Sequence, residues 1–110
     1  MNENTPKWLR TCGSECALFT PRAESDLEEI GDFIALDNPE RAVSFIGEIR
    51  ERCVTIADGP LRYAVRPDLG DAVRICAHGN YLIIFEPFEQ GTLILRVLHG
   101  ARDLPGIFGA

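Results

Sequence analysis

The stretch Ala72-Val-Arg-Ile-Cys-Ala-His-Gly-Asn-Tyr-Leu-Ile-Ile-Phe85 decides the fold of this chain of 110 residues. Its first six residues alternate between two sets of side chains, which is typical of a β-strand. His78-Gly-Asn80 predicts a compact turn, and residues 81–85 are apolar throughout, as in a central strand with both faces covered. Because the turn is so short, the two strands are expected to lie side by side and antiparallel.

A third strand is predicted at residues 92–98, Thr-Leu-Ile-Leu-Arg-Val-Leu. The turn Glu89-Gln-Gly91 precedes it, and this connection is again too short for a crossover. Residues 72–98 therefore predict a three-stranded antiparallel meander.

Two helices are predicted before the sheet, and each begins at a capping residue followed by proline. Thr20 and Pro21 begin the first helix, and Asn38 and Pro39 begin the second after a short break. Each helix carries one apolar stripe; the stripes comprise Ala23, Leu27, Ile30 and Ile34, then Ala42, Phe45 or Ile46, Ile49, Cys53 and Ile56. Because the break is short, the two helices are expected to form an antiparallel hairpin.

The apolar segment Cys16-Ala-Leu-Phe19 predicts a short strand ahead of the helices. The order of elements is then one strand, two helices and three strands. It predicts an α+β domain with the helical hairpin packed on one face of the sheet.

The composition bounds the domain organisation. Hydrophobic residues make up 45% of the chain and charged residues 25%, ordinary values for a folded globular domain. We expect one domain over residues 16–110, preceded by an extension at residues 1–15 that lacks a clear period and is expected to be flexible. Whether this extension is genuine stays open.

The formal net charge of −6 bears on the class of partner. Affinity for DNA or RNA comes largely from cationic side chains that neutralise phosphates, so the charge disfavours direct nucleic-acid binding and favours a protein partner. The sequence shows no secretion signal and no apolar run of roughly 18 residues, so we expect a cytoplasmic protein without membrane contact.

The four cysteines do not indicate a metal site. Cys12 and Cys16 have the spacing of half a zinc site, but no second ligand pair accompanies them. Cys53 and Cys76 fall within apolar segments and are expected to be reduced core residues. We predict no metal and no cofactor.

Few residues point to catalysis, since the chain has no motif for a nucleophile, a phosphate or a dinucleotide. His78 is predicted to be a solvated turn residue. His99 ends the last strand, where it is either an acid–base group or a residue that fixes the turn.

All basic residues after residue 60 are arginines: Arg62, Arg66, Arg74, Arg96 and Arg102. Arg74 and Arg96 lie on strands whose other face must be core. We therefore expect their guanidinium groups on the solvent face of the sheet or at its rim. Arg102 either joins them or pairs with a carboxylate as part of the scaffold.

Several segments, in this order, resemble ParE-type toxins of the ParE/RelE toxin–antitoxin superfamily. They are Leu18–Ile30 (the strand-to-helix opening), Asn38–Ala42 (the break between helices), Arg66–Gly70 with Val73-Arg74 (the arginine loop), Asn80–Phe85, and Arg96-Val-Leu-His-Gly-Ala-Arg-Asp-Leu104. The resemblance covers about residues 16–108.

The resemblance implies a ParE/RelE-like fold and the toxin of a type II toxin–antitoxin system, held inactive in a hetero-oligomer with its antitoxin. A helical, partly disordered antitoxin segment would lie along the helices, and its predicted contacts are Leu27, Ile30, Ile34, Phe45 and Ile49. The implied target is DNA gyrase. The predicted functional face comprises Arg66, Arg74, Arg96, His99, Arg102 and Phe108, with Leu104–Phe108 as a second contact.

Two alternatives stay open. Related RelE-type toxins cleave messenger RNA on the ribosome with lysines and arginines on the sheet, often with a tyrosine or histidine near the C-terminus. This chain has no lysine after Lys7 and has Ile107-Phe108 where that tyrosine would be wanted, so the sequence favours a binding toxin over a nuclease. The other alternative is a degenerate toxin that only binds its antitoxin.

Overall fold

The computed structural model describes residues 16–88 and 91–100. In chain order its elements are β1 (Cys16–Phe19), α1 (Pro21–Ala35), α2 (Pro39–Asp58), a 3₁₀ turn (Pro60–Arg62), β2 (Arg74–His78), β3 (Tyr81–Phe88) and β4 (Gly91–His99). This order confirms the predicted α+β domain. The predicted extension at residues 1–15 lies outside the described residues.

Both helices begin where the sequence predicts. The hydroxyl of Thr20 accepts a hydrogen bond from the Ala23 amide at 3.0 Å, and Asn38 Oδ1 accepts one from the Arg41 amide at 3.1 Å. Each bond satisfies an amide of the first turn that has no partner within the helix. None of the described helices is long and apolar enough to cross a membrane.

The sheet has the strand order β1-β4-β3-β2. The meander β2-β3-β4 is antiparallel, as predicted, whereas β1 runs parallel to β4 and pairs only with Gly91 to Ile94. From residue 95 onward, β4 therefore has a strand neighbour on one side only among the described residues. The start of α1 lies beside this open edge of β4.

The core lies between the hairpin and one face of the sheet. Its members are Ala23, Leu27, Ile30, Phe45, Ile49, Cys53, Ile56, Cys76, Ile83, Phe85, Ile94 and Val97. A smaller apolar cluster with Val73, Ile84 and Leu98 at its centre lies on the opposite face. Both faces of β3 are therefore covered, as its apolar sequence predicts.

The strands differ from the prediction at their ends. β3 continues to Phe88 and β4 reaches His99, while β2 begins at Arg74 and includes His78. The register between β3 and β4 shifts between Ile84 and Phe85, where Leu95 is left without a partner. Such a bulge bends the strand and redirects the side chains beside it.

Candidate functional site

Arg96 makes an ion pair with Asp26 of α1, near the bulge in β4. Arg96 Nε and Nη2 donate to the two carboxylate oxygens at 2.7 and 3.0 Å, and the Val97 amide donates to the same carboxylate at 3.0 Å. The two side chains are only 12% and 5% exposed. The hydrogen bonds that Arg96 donates to Asp26 raise the pKa of Arg96. Of the two predicted placements, the solvent face is therefore wrong for Arg96, which Asp26 holds at the edge of the sheet.

The Arg96–Asp26 pair exists because the start of α1 runs along the open edge of β4. The Thr20 amide donates to Ile94 O at 3.1 Å, and the Thr20 hydroxyl donates to Leu95 O at 3.0 Å. Asp26 lies two turns further along and accepts from Val97. Groups of α1 and its cap thus satisfy backbone polar groups that a neighbouring strand would otherwise bond.

Arg74 and Arg66 lie apart from Arg96. Arg74 is on β2, separated from β4 by β3, and its Nη1 donates to Tyr63 O at 2.7 Å. Its Nε is buried without a hydrogen-bond partner. Arg66 pairs with Asp68 at 2.7 Å, which raises the pKa of Arg66 and lowers the pKa of Asp68. The structure does not bring these three arginines into one cluster.

Arg102, Phe108 and the predicted contact Leu104–Phe108 lie outside the described residues. The assignment of these residues to a target-binding face stays a prediction.

The two histidines share a row with Tyr81 at one end of the sheet. His78, Tyr81 and His99 occupy matching positions on β2, β3 and β4. The His78 ring lies 5.6 Å from that of Phe45, and the Tyr81 ring lies 5.3 Å from that of His99.

The prediction that His78 is a solvated turn residue is wrong. Its side chain is 16% exposed, packs on Phe45 and lies 3.7 Å from Glu48. It occupies a strand position because the meander turn contains only Gly79 and Asn80. His99 is exposed, so it is the histidine that a partner can reach.

The residues predicted to bind the antitoxin belong to the core instead of the surface. Leu27, Ile30, Phe45 and Ile49 are at most 9% exposed, and Ile34 packs against them at the edge of the cluster. The apolar stripe of each helix faces the sheet. Contact with an antitoxin stays a prediction for these five residues. An antitoxin would more easily reach the outer face of the hairpin.

That outer face carries a groove between α1 and α2, here called the hairpin groove. It encloses about 800 Å³ and is lined by Glu24, Leu27, Glu28, Gly31, Asp32, Ala35, Pro39, Ala42, Val43, Ile46 and Arg50. Val43, one of the apolar residues that line this groove, is 76% exposed. Exposed apolar side chains around a groove are typical of a protein-binding surface. The stripe pattern found Leu27, Ala42 and Ile46 of this lining but missed the exposed Val43, because the pattern selects the buried face.

Two kinds of catalytic group can be assessed in the part of the chain that the structure describes: metal ligands and reactive thiols. Among the described residues, no group of three or more histidines, cysteines or carboxylates could hold a metal ion. Burial raises the pKa of Cys53 to about 12 and also raises the pKa of Cys76. Since the thiolate is the reactive form, neither thiol is activated as a nucleophile.

The chain is similar to known toxins. A family model described as the ParE toxin of the type II toxin–antitoxin system parDE matches residues 17–104. A solved structure described as the chromosomal ParDE TA system from P. aeruginosa matches with a TM-score of 0.66 and 24% sequence identity, over 79% of this chain and 95% of the other. No curated protein matches. The structural match shows a shared fold.

Proposed function

Because the chain belongs to the ParE toxin family of type II toxin–antitoxin systems, we propose that it acts by binding a bacterial protein, DNA gyrase, and not by cutting RNA. An antitoxin that covers the hairpin groove would neutralise it.

The observation that carries this proposal is that the arginines of the sheet are engaged within the fold. Four of the eight described arginines are paired with carboxylates, three on the surface and one buried: Arg41 with Glu48, Arg50 with Glu24, Arg66 with Asp68 and, buried, Arg96 with Asp26. A ribonuclease needs cationic groups free to meet phosphates. On the sheet, Arg96 is engaged by Asp26 and Arg74 is turned toward a backbone carbonyl. In a chain of net charge −6 this arrangement disfavours an RNA substrate.

The first experiment compares the two activities directly. Purified gyrase is assayed for supercoiling, and translating ribosomes are assayed for messenger RNA cleavage, each over a range of toxin concentrations. We expect inhibition of supercoiling and intact messenger RNA. No inhibition at high toxin excess would remove gyrase as the target. Messenger RNA cleavage that His99→Ala abolishes would establish the enzyme alternative.

The second experiment tests the antitoxin surface with a matched pair of variants. Val43 and Val54 are both on α2 and are 76% and 64% exposed, but only Val43 lines the hairpin groove. We expect Val43→Glu to weaken rescue of growth by the antitoxin encoded beside the toxin, because a charge would be buried at the interface. Val54→Glu should leave rescue unchanged. Equal effects of the two variants would rule out the groove as the antitoxin site.

Expression of the chain without its antitoxin separates an active toxin from a degenerate one. The proposal predicts arrested growth. Normal growth, together with retained antitoxin binding, would support the degenerate alternative.

A further inference from the structure

A second concavity lies at the open edge of β4, between α1 and the end of the sheet. It encloses about 350 Å³ and is lined by Asp26, Glu29, Ile30, Phe33, Tyr81, Val97, Leu98 and His99. It shares no lining residue with the hairpin groove. We call it the edge pocket.

The edge pocket contains two carboxylates, one buried and one exposed. Both oxygens of Asp26 are engaged by Arg96 and Val97. Glu29, one turn further along α1, is exposed, and it acts on Arg96 through its charge. The negative charge of Glu29 raises the pKa of Arg96, and the positive charge of Arg96 is already neutralised by Asp26. The pocket therefore presents net negative charge that would repel a phosphate and attract a cation.

Aromatic rings stand beside this carboxylate. Phe33 lies one turn after Glu29 on the same face of α1 and is 69% exposed. Tyr81 forms the inner wall, where its ring meets that of His99 edge-on at 80°. Ile30 and Val97, which belong to the core on this side of the sheet, supply apolar lining that we call the apolar floor. A carboxylate beside exposed aromatic rings suits a cation with a flat, weakly hydrated head group.

We propose that the edge pocket binds an arginine side chain of a protein partner. The guanidinium would stack on Phe33 and form a charge-assisted hydrogen bond with Glu29, while its aliphatic stem would lie on the apolar floor. This inference rests on the proposed function only in taking the partner to be a protein.

The test uses short peptides, so that it does not depend on gyrase or on an antitoxin. The isotope-labelled full chain is titrated with acetyl-Gly-Arg-Gly-amide and with the peptide in which glutamine replaces arginine, and amide shifts are followed by NMR. We expect saturable shifts at Glu29, Phe33 and residues 97–99 with the arginine peptide only. Equal shifts with the glutamine peptide would overturn the proposal.

Two variants and a control locate the binding. Glu29→Gln and Phe33→Ala are each expected to weaken binding about three- to five-fold, the range for an exposed ion pair or cation–π contact. Glu28→Gln removes the same charge from the adjacent residue, which lines the hairpin groove instead, and should leave the affinity unchanged. Equal effects of Glu28→Gln and Glu29→Gln would overturn the proposal by showing only a general charge effect. Stronger binding in Arg102→Ala would also overturn it, because the pocket would then serve an arginine of this chain.

Discussion

Replacing Asp26 by alanine removes the acceptor of three hydrogen bonds from β4, two from Arg96 and one from the Val97 amide. It leaves behind a guanidinium that is 12% exposed and a backbone amide at an edge without a strand. Breaking a buried ion pair by removing one partner costs about 3–5 kcal/mol, because the remaining charge stays buried and unpaired. We expect Asp26→Ala to lower the free energy of unfolding by this amount.

Urea denaturation followed by circular dichroism measures the effect. With a slope of about 2 kcal/mol per molar urea, the midpoint should fall by about 2 M. Asp26→Asn keeps an acceptor for the Val97 amide but removes the charge, so it should lie between the wild type and Asp26→Ala.

Glu24 provides the matched control. It is on the same helix and pairs with Arg50 at 2.7 Å, but the two side chains are 48% and 46% exposed. An exposed pair contributes about 1 kcal/mol or less. If Asp26→Ala costs no more than Glu24→Ala, then Arg96 is not held as a buried charge and the reasoning about the β4 edge is refuted.

Three further predictions use the same assay. Thr20→Val should destabilise the protein by about 1–2 kcal/mol, because it removes both the cap of α1 and the hydrogen bond to Leu95 O. Thr55, whose exposed hydroxyl bonds only to Glu51 O among the described residues, is the control. If Thr20→Val costs no more than Thr55→Val, the capping role is contradicted. Gly31→Ala should stabilise α1 by about 0.5–1 kcal/mol, since a Cβ there would lie 3.5 Å from Ile46, an ordinary contact; a loss of stability would show that the helices cannot accept the methyl group. Cys53 keeps its proton in the folded state up to about pH 12 but ionises from pH 9.0 when the chain is unfolded. Its contribution to the free energy of unfolding should therefore be complete below pH 9.0. Above pH 9.0 the free energy of unfolding should fall by up to about 1.4 kcal/mol per pH unit, because only the unfolded chain loses the proton. Cys53→Ala should remove that part of the slope, and an unchanged slope would argue against a buried neutral thiol.

Local signals in the sequence were enough to predict most of the fold. The caps at Thr20 and Asn38 act through neighbouring amides, and the short turns of the meander leave only antiparallel pairing. The partner of β1 could not be predicted in this way. Its pairing with β4 joins residues about 75 positions apart, and no local pattern reports such a contact.

The candidate site was harder to predict than the fold. Arg96 looked solvent-facing because strand alternation describes a regular strand, whereas the bulge beside it disturbs that alternation. The sequence did contain a hint of this ion pair: Asp26 is a carboxylate directly before Leu27, which belongs to the apolar stripe of α1. A charged residue in such a place is rarely buried without a partner. Identifying Arg96 as that partner required the fold itself.

The parallel pairing of β1 with β4 also determines when the domain can be completed. The first strand and the start of α1 find their partners at Gly91–Leu95, which are synthesised after both helices and the first two strands of the meander. Because closing so long a loop is slow compared with forming local contacts, the helical hairpin can form early, but the sheet beside it cannot. β4 pairs with both β1 and β3. A nascent chain that ends before β4 therefore lacks the strand that joins these two into one sheet. The sheet is therefore completed only after β4 has been synthesised.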